Sequence, residues 1–182
     1  MITSEYCETG ISFAAKDVPD LYAIHQRVMV VTDGDKAISY APVGLDREGF
    51  MVVKLRALPG VEMPDGIAVE RKPVKNGMSF TIQAGVRLVK RSDCGERMPT
   101  EDEALEKWTR AVTAGGFQVE HTRMVESAMS FYHRRLDSHT RLPFWLVTSA
   151  LTVVDAEKAA ETMVRGVGRS RGLGFGMLMV TG

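Results

Sequence analysis

Aromatic side chains make up only 7% of this 182-residue sequence, and cysteine is rarer still, with Cys7 and Cys94 alone. Two cysteines so far apart match no metal-ligand or redox spacing, so they read as reduced thiols and exclude a disulfide framework. No apolar run approaches the roughly 20 residues of a membrane-spanning helix. No early stretch joins a basic start to an apolar core, as a secretory leader would. The expectation is a cytoplasmic chain with no membrane partner. The histidines are His25, His121, His133 and His139, with no HExxH or CxxC pattern near them. Neither a metal nor a cofactor is expected from such a set.

Net charge is absent too, because 23 Lys+Arg offset 23 Asp+Glu. A uniformly basic protein is thereby excluded, but a basic face is not. From His121 to Gly182 eight Lys/Arg meet five Asp/Glu, a balance of +3, and the remainder carries fifteen against eighteen, or −3. After Glu161 there is no acid.

The order of elements reads as two cycles. "ISFAA" is a first strand, and a helix runs from about Pro19 to about Val30, with Leu21, Ile24, Val28 and Val31 at helical spacing. "AISYAPVG", "GFMVVKLRAL" and "MSFTIQAGVRLVKR" read as strands, and the polar "SDCGERMPTEDE" breaks the chain. The second cycle opens with a helix capped by Thr100 and Glu103 as a capping box and ended by Gly115 and Gly116. "FQVEHTRMV", "ESAMSFYHRR" and "LPFWLVTSALTVV" follow as strands, then a helix between Asp155 and Gly166, then "GMLMV" as a last strand. The fold class is α+β, with two tandem ferredoxin-like domains assigned to residues 1–92 and 93–182.

Three stretches bear chemistry. "GVGRSRGLGFGMLMV", Gly166–Val180, holds five glycines with Arg169 and Arg171, and Arg165 stands just before it. A dinucleotide fingerprint places such glycines between a strand and a helix, whereas here they lead from a helix into a strand. No Walker-type lysine is present. The residues leave two readings open: a tight helix-to-strand turn, or a loop whose N–H groups and guanidinium forks bind an extended phosphate chain. Gly168 and Gly174 are the positions where φ above zero is expected. Tyr22 and His25 lie three apart on one helix face, where imidazole can move a proton near neutral pH and a phenol can bond phosphate or ribose. They fit equally an aromatic pair packed on a sheet, and Arg27 on that helix fits a cleft or the surface. The hairpin "FYHRRLDSHTRLPF" carries Arg134, Arg135 and Arg141, either as a solvated turn or as a groove-binding one.

The glycine run resembles the C-terminal signature of the CasE-type CRISPR-associated endoribonucleases, of form G-h-G-x-x-[KR]-x-x-G-h-G before an apolar strand. Gly166, Gly168, Arg171, Gly174 and Gly176 fill its fixed positions. Leu151, Val153 and Asp155 match the approach to the family's last helix, with Ala150 and Ala156 in place of its glycine and proline. Trp108, Gly116 and Phe117 match its W…GF segment, and "DLYAIHQRV" its D-x-Y-x-x-H helix. Where the family has Asn-Pro after its F-x-L-x-A strand, this sequence has Gly85-Val86.

The resemblance implies a RAMP protein that cleaves CRISPR precursor RNA at the repeat stem-loop without a metal. The ribose 2′-OH would attack the adjacent phosphate, leaving a 2′,3′-cyclic phosphate and a 5′-OH. It implies His25 as proton donor or acceptor and Tyr22 as a positioning group. RNA contacts would come from Arg27, Arg134, Arg135, Arg141, Arg165, Gly168, Arg169, Arg171 and Gly174. The expected partners are the repeat RNA stem-loop and other subunits of a surveillance complex. A non-catalytic RNA-binding subunit is the alternative.

Overall fold

The computed structural model describes residues 3–93, 95–133 and 137–181. The first sheet has the order β2-β3-β1-β4, built from β1 (Thr3–Ala14), β2 (Ser39–Leu45), β3 (Phe50–Ala57) and β4 (Glu70–Lys75), all antiparallel neighbours. Helix α1 (Leu21–Val31) links β1 to β2. It starts at Asp20, whose carboxylate accepts from Ala23 N at 2.8 Å, a side-chain cap on an otherwise orphaned donor. Ile24 and Val28 form its buried stripe and pack with Ile11, Val53 and Leu55 of the sheet.

The second sheet has the order β10-β5-β9-β8, from β5 (Ser79–Val86), β8 (Phe117–His133), β9 (Ser138–Val153) and β10 (Met179–Val180). Strands β6 (Lys90–Ser92) and β7 (Gly95–Arg97) form a separate small hairpin. Helix α2 (Glu101–Ala114) joins that hairpin to β8 and opens on the expected capping box, with Thr100 Oγ1 accepting from Glu103 N and Glu103 Oε2 accepting from Thr100 N. Helix α3 (Ala156–Arg165) is capped by Asp155 and stopped by Gly166 at φ +68°. Numbered within its own sheet, each set of four strands has the order 4-1-3-2. Both halves are thus mixed α+β sheets consistent with tandem ferredoxin-like units.

Three elements differ from the sequence reading. Strand β5, grouped there with residues 1–92, hydrogen-bonds to β9 from Ser79↔Thr152 to Val86↔Trp145 and stands in the second sheet. Its alternating Ile82, Ala84 and Val86 belong to the core around Trp108, Phe117, Leu151 and Met163, which is why it leaves the first sheet. Strand β4 (ERKPVK) was not anticipated. It buries Val74 alone, and its Pro73 is tolerated because β4 is an edge strand. Strand β8 runs unbroken past the division drawn at Val125, bending at a bulge between Val119 and His121.

The first half has no helix between β3 and β4. Helix α3 of the second half packs there instead, against β1, β3 and β4. Arg56 of β3, 1% exposed, crosses this junction. Its Nε donates to Glu8 Oε2 at 2.7 Å, and its Nη1 donates to Met163 O at 3.0 Å and Leu178 O at 2.7 Å. The guanidinium also lies 4.9 Å from the Tyr6 ring centroid. A single buried charge therefore holds both halves, and the junction fixes where α1 sits relative to the glycine run.

Candidate active site

A cleft of about 1140 Å³ opens between the halves. From the first half it takes His25 on α1, Lys36, and Tyr40 on β2. From the second it takes Arg87, Arg165, Gly168, Arg169, Ser170, Arg171 and Gly172. Residues from opposite ends of the sequence, His25 and the arginines of the glycine run, thus line one cleft.

His25 is half-buried. Its Nδ1 lies 3.1 Å from the hydroxyl of Tyr40, and that hydroxyl donates to Gly172 O at 2.7 Å. Burial pushes the Tyr40 phenol up from its ordinary value, so it stays protonated. Neither Tyr40 nor Gly172 was marked in the sequence. "AISYAPVG" shows only a strand, and its partner lies far along the chain.

Tyr22 is one turn before His25, with ring centroids 6.4 Å apart and planes tilted 45°. It packs on the apolar cluster of Leu142, Phe144 and Phe175 and does not line the cleft. Arg27 is exposed on α1, and it too is outside the cleft lining. Arg141 is exposed on β9 opposite Ser130, at the far end of the β8–β9 pair. Arg134 and Arg135 lie outside the described residues.

The glycine run is wrapped tightly. Gly168 and Gly174 have φ of +92° and +84°, the left-handed values expected of them. A Cβ on Gly174 would stand 2.5 Å from Pro42 Cδ and 3.3 Å from Tyr40 Cε2, so this glycine lets the loop lie flat on β2.

The sequence had offered the loop's N–H groups as phosphate ligands. Half of them, from Val167 to Gly176, are already used: Val167 N donates to Gly176 O, Arg169 N to Arg87 O, Leu173 N to Ser170 O, Gly174 N to Arg171 O, and Gly176 N to Gly85 O. The short 3-10 turn Arg171–Leu173 and the strand pairing consume them. The N–H groups of Gly168, Ser170, Arg171 and Gly172, all on the cleft lining, make no such bond among the described residues, so an anion there can meet backbone donors as well as side chains.

Those side chains are not equivalent. The acid-free stretch meets an acid from elsewhere: Glu96 of β7 accepts from Arg169 Nη1 at 2.5 Å and lies 3.8 Å from Arg87 Nη2. Arg87 also donates to Ser170 Oγ at 3.1 Å. Arg165 pairs with Glu161 at 3.4 Å. Arg171 donates to Arg165 O at 3.2 Å and, like Lys36, has no carboxylate partner among the described residues. Arg171 and Lys36 are thus the cleft cations without a carboxylate contact among the described residues, while the single Glu96 carboxylate is shared by Arg87, Arg91 and Arg169, and Asp35 also lines the cleft. No group of three His, Cys, Asp or Glu side chains converges as a metal-ligand set among the described residues.

An imidazole set among guanidinium groups, between two α+β halves, defines a site suited to a phosphodiester chain. The chain belongs to the family described as CRISPR associated protein, whose model matches residues 60–181. The resemblance read from the glycine run is borne out at that level. Among solved structures, Cse3 of Thermus thermophilus, bound to an RNA representing a pre-cleavage complex, has a TM-score of 0.72 at 20% identity, over 98% of this chain and 100% of that one. Cas6e of Escherichia coli K-12 has a TM-score of 0.70 at 14% identity, over 96% and 98%. A chain of a CRISPR RNA-guided surveillance complex has 0.67 at 10% identity, over 96% and 98%. At these identities the likeness establishes a shared fold. A comparison with curated proteins finds no match.

Proposed function

We propose that this protein is an endoribonuclease that cuts CRISPR precursor RNA at the repeat stem-loop and then stays bound to the product as a surveillance-complex subunit. One observation carries the reading: His25 and the arginines of the glycine run line a single cleft. The similar folds of Cse3, solved with a pre-cleavage RNA, and Cas6e support it. In the proposed reaction the ribose 2′-oxygen bonds to the adjacent phosphorus and the P–O5′ bond breaks. The products are a 2′,3′-cyclic phosphate and a 5′-OH. One proton leaves the 2′-OH and one reaches O5′, and His25 carries one of these transfers. Because the substrate supplies its own nucleophile, no metal-bound water is required.

Arg171, Arg165 and Lys36 would stabilise charge on the phosphate in this partly enclosed cleft. Tyr22 would bond ribose or phosphate from beside His25. Arg27, Arg134, Arg135, Arg141 and Arg169 would hold the stem, whose A-form helix is met through its backbone.

The test uses 5′-labelled repeat RNA under single turnover in excess EDTA. Wild-type protein should cleave, and His25→Ala should lose about 10²- to 10⁴-fold in rate while keeping its RNA affinity. A single 2′-deoxy substitution at the scissile nucleotide should stop the reaction. Cleavage of that deoxy RNA, or a wild-type rate for His25→Ala, would refute the mechanism. Tight binding without cleavage would identify a non-catalytic RNA-binding subunit.

A further inference from the structure

We infer that Tyr40 is a positioning residue for His25: its hydroxyl, anchored on the Gly172 carbonyl, holds the imidazole with its proton on Nδ1 and leaves Nε2 as the working nitrogen. The inference deepens the proposed function and rests on it for its catalytic meaning. A phenol has one hydrogen and can also accept. The Tyr40 hydrogen is directed at Gly172 O, 2.7 Å away. Toward His25 Nδ1, at 3.1 Å, the same oxygen is left only its lone pairs. Nδ1 must therefore supply the proton. Neutral His25 is then the Nδ1–H tautomer with a basic Nε2, and charged His25 presents Nε2–H as a donor. The hydrogen bond made by one ring nitrogen sets the role of the other.

Three features keep the relay in place. Tyr40 is 5% exposed, so water competes little for its hydroxyl. Its ring is braced by Gly174, whose missing Cβ leaves room for Tyr40 Cε2 and Pro42. Gly172 O belongs to the 3-10 turn Arg171–Leu173, so the turn that presents Arg171 to the cleft also anchors the imidazole. The phosphate-facing arginine and the proton-transferring nitrogen are thereby set by one piece of backbone.

The direct test is the tautomer. Nitrogen-15 NMR of the full-length chain, at a pH where His25 is neutral, should show a protonated Nδ1 and an unprotonated Nε2. In Tyr40→Phe the ring should revert toward the Nε2–H form that an unrestrained imidazole favours. A wild-type His25 protonated on Nε2 would overturn the inference with no variant needed. So would a Tyr40→Phe protein that keeps the Nδ1–H form. The second readout is single-turnover cleavage of repeat RNA. Tyr40→Phe should lose about 10- to 10³-fold in rate, up to the middle of the range for removing a proton-transfer group. Its RNA affinity should hold within about twofold. An unchanged rate would overturn the positioning role even if the tautomer were correct. A wild-type chain that shows the Nδ1–H tautomer yet cuts no RNA would instead count against the proposed function alone.

Discussion

Replacing Arg56 by Met keeps much of the volume of the buried stem but removes the charge that ties the halves together. Glu8, whose side chain is 10% exposed, would keep Lys54 at 2.9 Å and lose its buried partner at 2.7 Å. Met163 O lies in the last turn of α3, where carbonyls lack an intrahelical donor. Val167 N, the donor that would have served it, bonds Gly176 O instead. The Arg56 guanidinium is therefore a C-terminal cap on α3, and its loss orphans Met163 O and Leu178 O together. Breaking a buried pair by removing one partner costs about 3–5 kcal/mol. In a chain of this size that lowers the melting temperature by about 6–20 °C.

The cost should also depend on pH. Burial raises the Glu8 pKa, but the Lys54 hydrogen bond and the charge and hydrogen bond of Arg56 outweigh it and hold the carboxyl below its ordinary value. A depressed carboxyl contributes stability that is present above the unfolded pKa and is lost as pH falls through the folded pKa. The difference between wild type and Arg56→Met should accordingly be full at pH 7 and shrink below about pH 4. Urea unfolding across pH, with Glu8→Gln and the double variant to close a cycle, measures both effects. A destabilisation under 1 kcal/mol at pH 7, or additive single effects, would refute the junction argument.

Three further outcomes follow from the same contacts. Arg171→Ala should weaken repeat-RNA binding and reduce the salt slope by about one phosphate contact, whereas Arg169→Ala, whose guanidinium is already engaged by Glu96, should change the slope less; equal slopes in a salt titration would contradict the ranking. Gly174→Ala forces a Cβ against Pro42 at φ +84°, so it should destabilise by about 1–3 kcal/mol in thermal unfolding and loosen the loop from β2. Thr100→Ala removes the α2 cap and should cost about 1 kcal/mol in urea unfolding with cleavage untouched.

What the sequence made legible was local. Thr100 and Glu103 form their box within four residues, and Asp155 and Gly166 bracket α3 by cap chemistry alone. The glycines were legible because few other residues tolerate their backbone angles. Long-range pairing was not. β4 shows only one buried side chain in six, a pattern that a solvated loop also has. The sheet to which β5 belongs depends on β9, and no local alternation names a partner. Arg56 sits in "VVKLRAL" like any strand arginine, and only the arrival of α3 and Leu178 makes it a core residue. Glu96, which pairs with Arg169, comes from a hairpin that reads as a polar break.

The two readings of the glycine run, a tight turn or a phosphate-binding loop, turn out not to compete. The turn uses half of the backbone N–H groups in its own hydrogen bonds and leaves those of Gly168, Ser170, Arg171 and Gly172 on the cleft lining. By the same bonds it fixes a short segment on β2, with Gly174 against Pro42 and the Gly172 carbonyl on the Tyr40 hydroxyl. That seat brings Arg171 to the cleft that His25 lines. Extra flexibility in the loop would add conformations to be lost when RNA binds and would detach the anchor of His25. A rigid glycine turn avoids both costs, because each positive-φ glycine is held by contacts that exclude a side chain. The glycine run therefore acts through its packing as well as its remaining donors: it presents Arg171 to the cleft and, from the opposite end of the chain, seats the Tyr40 hydroxyl that meets His25 on α1.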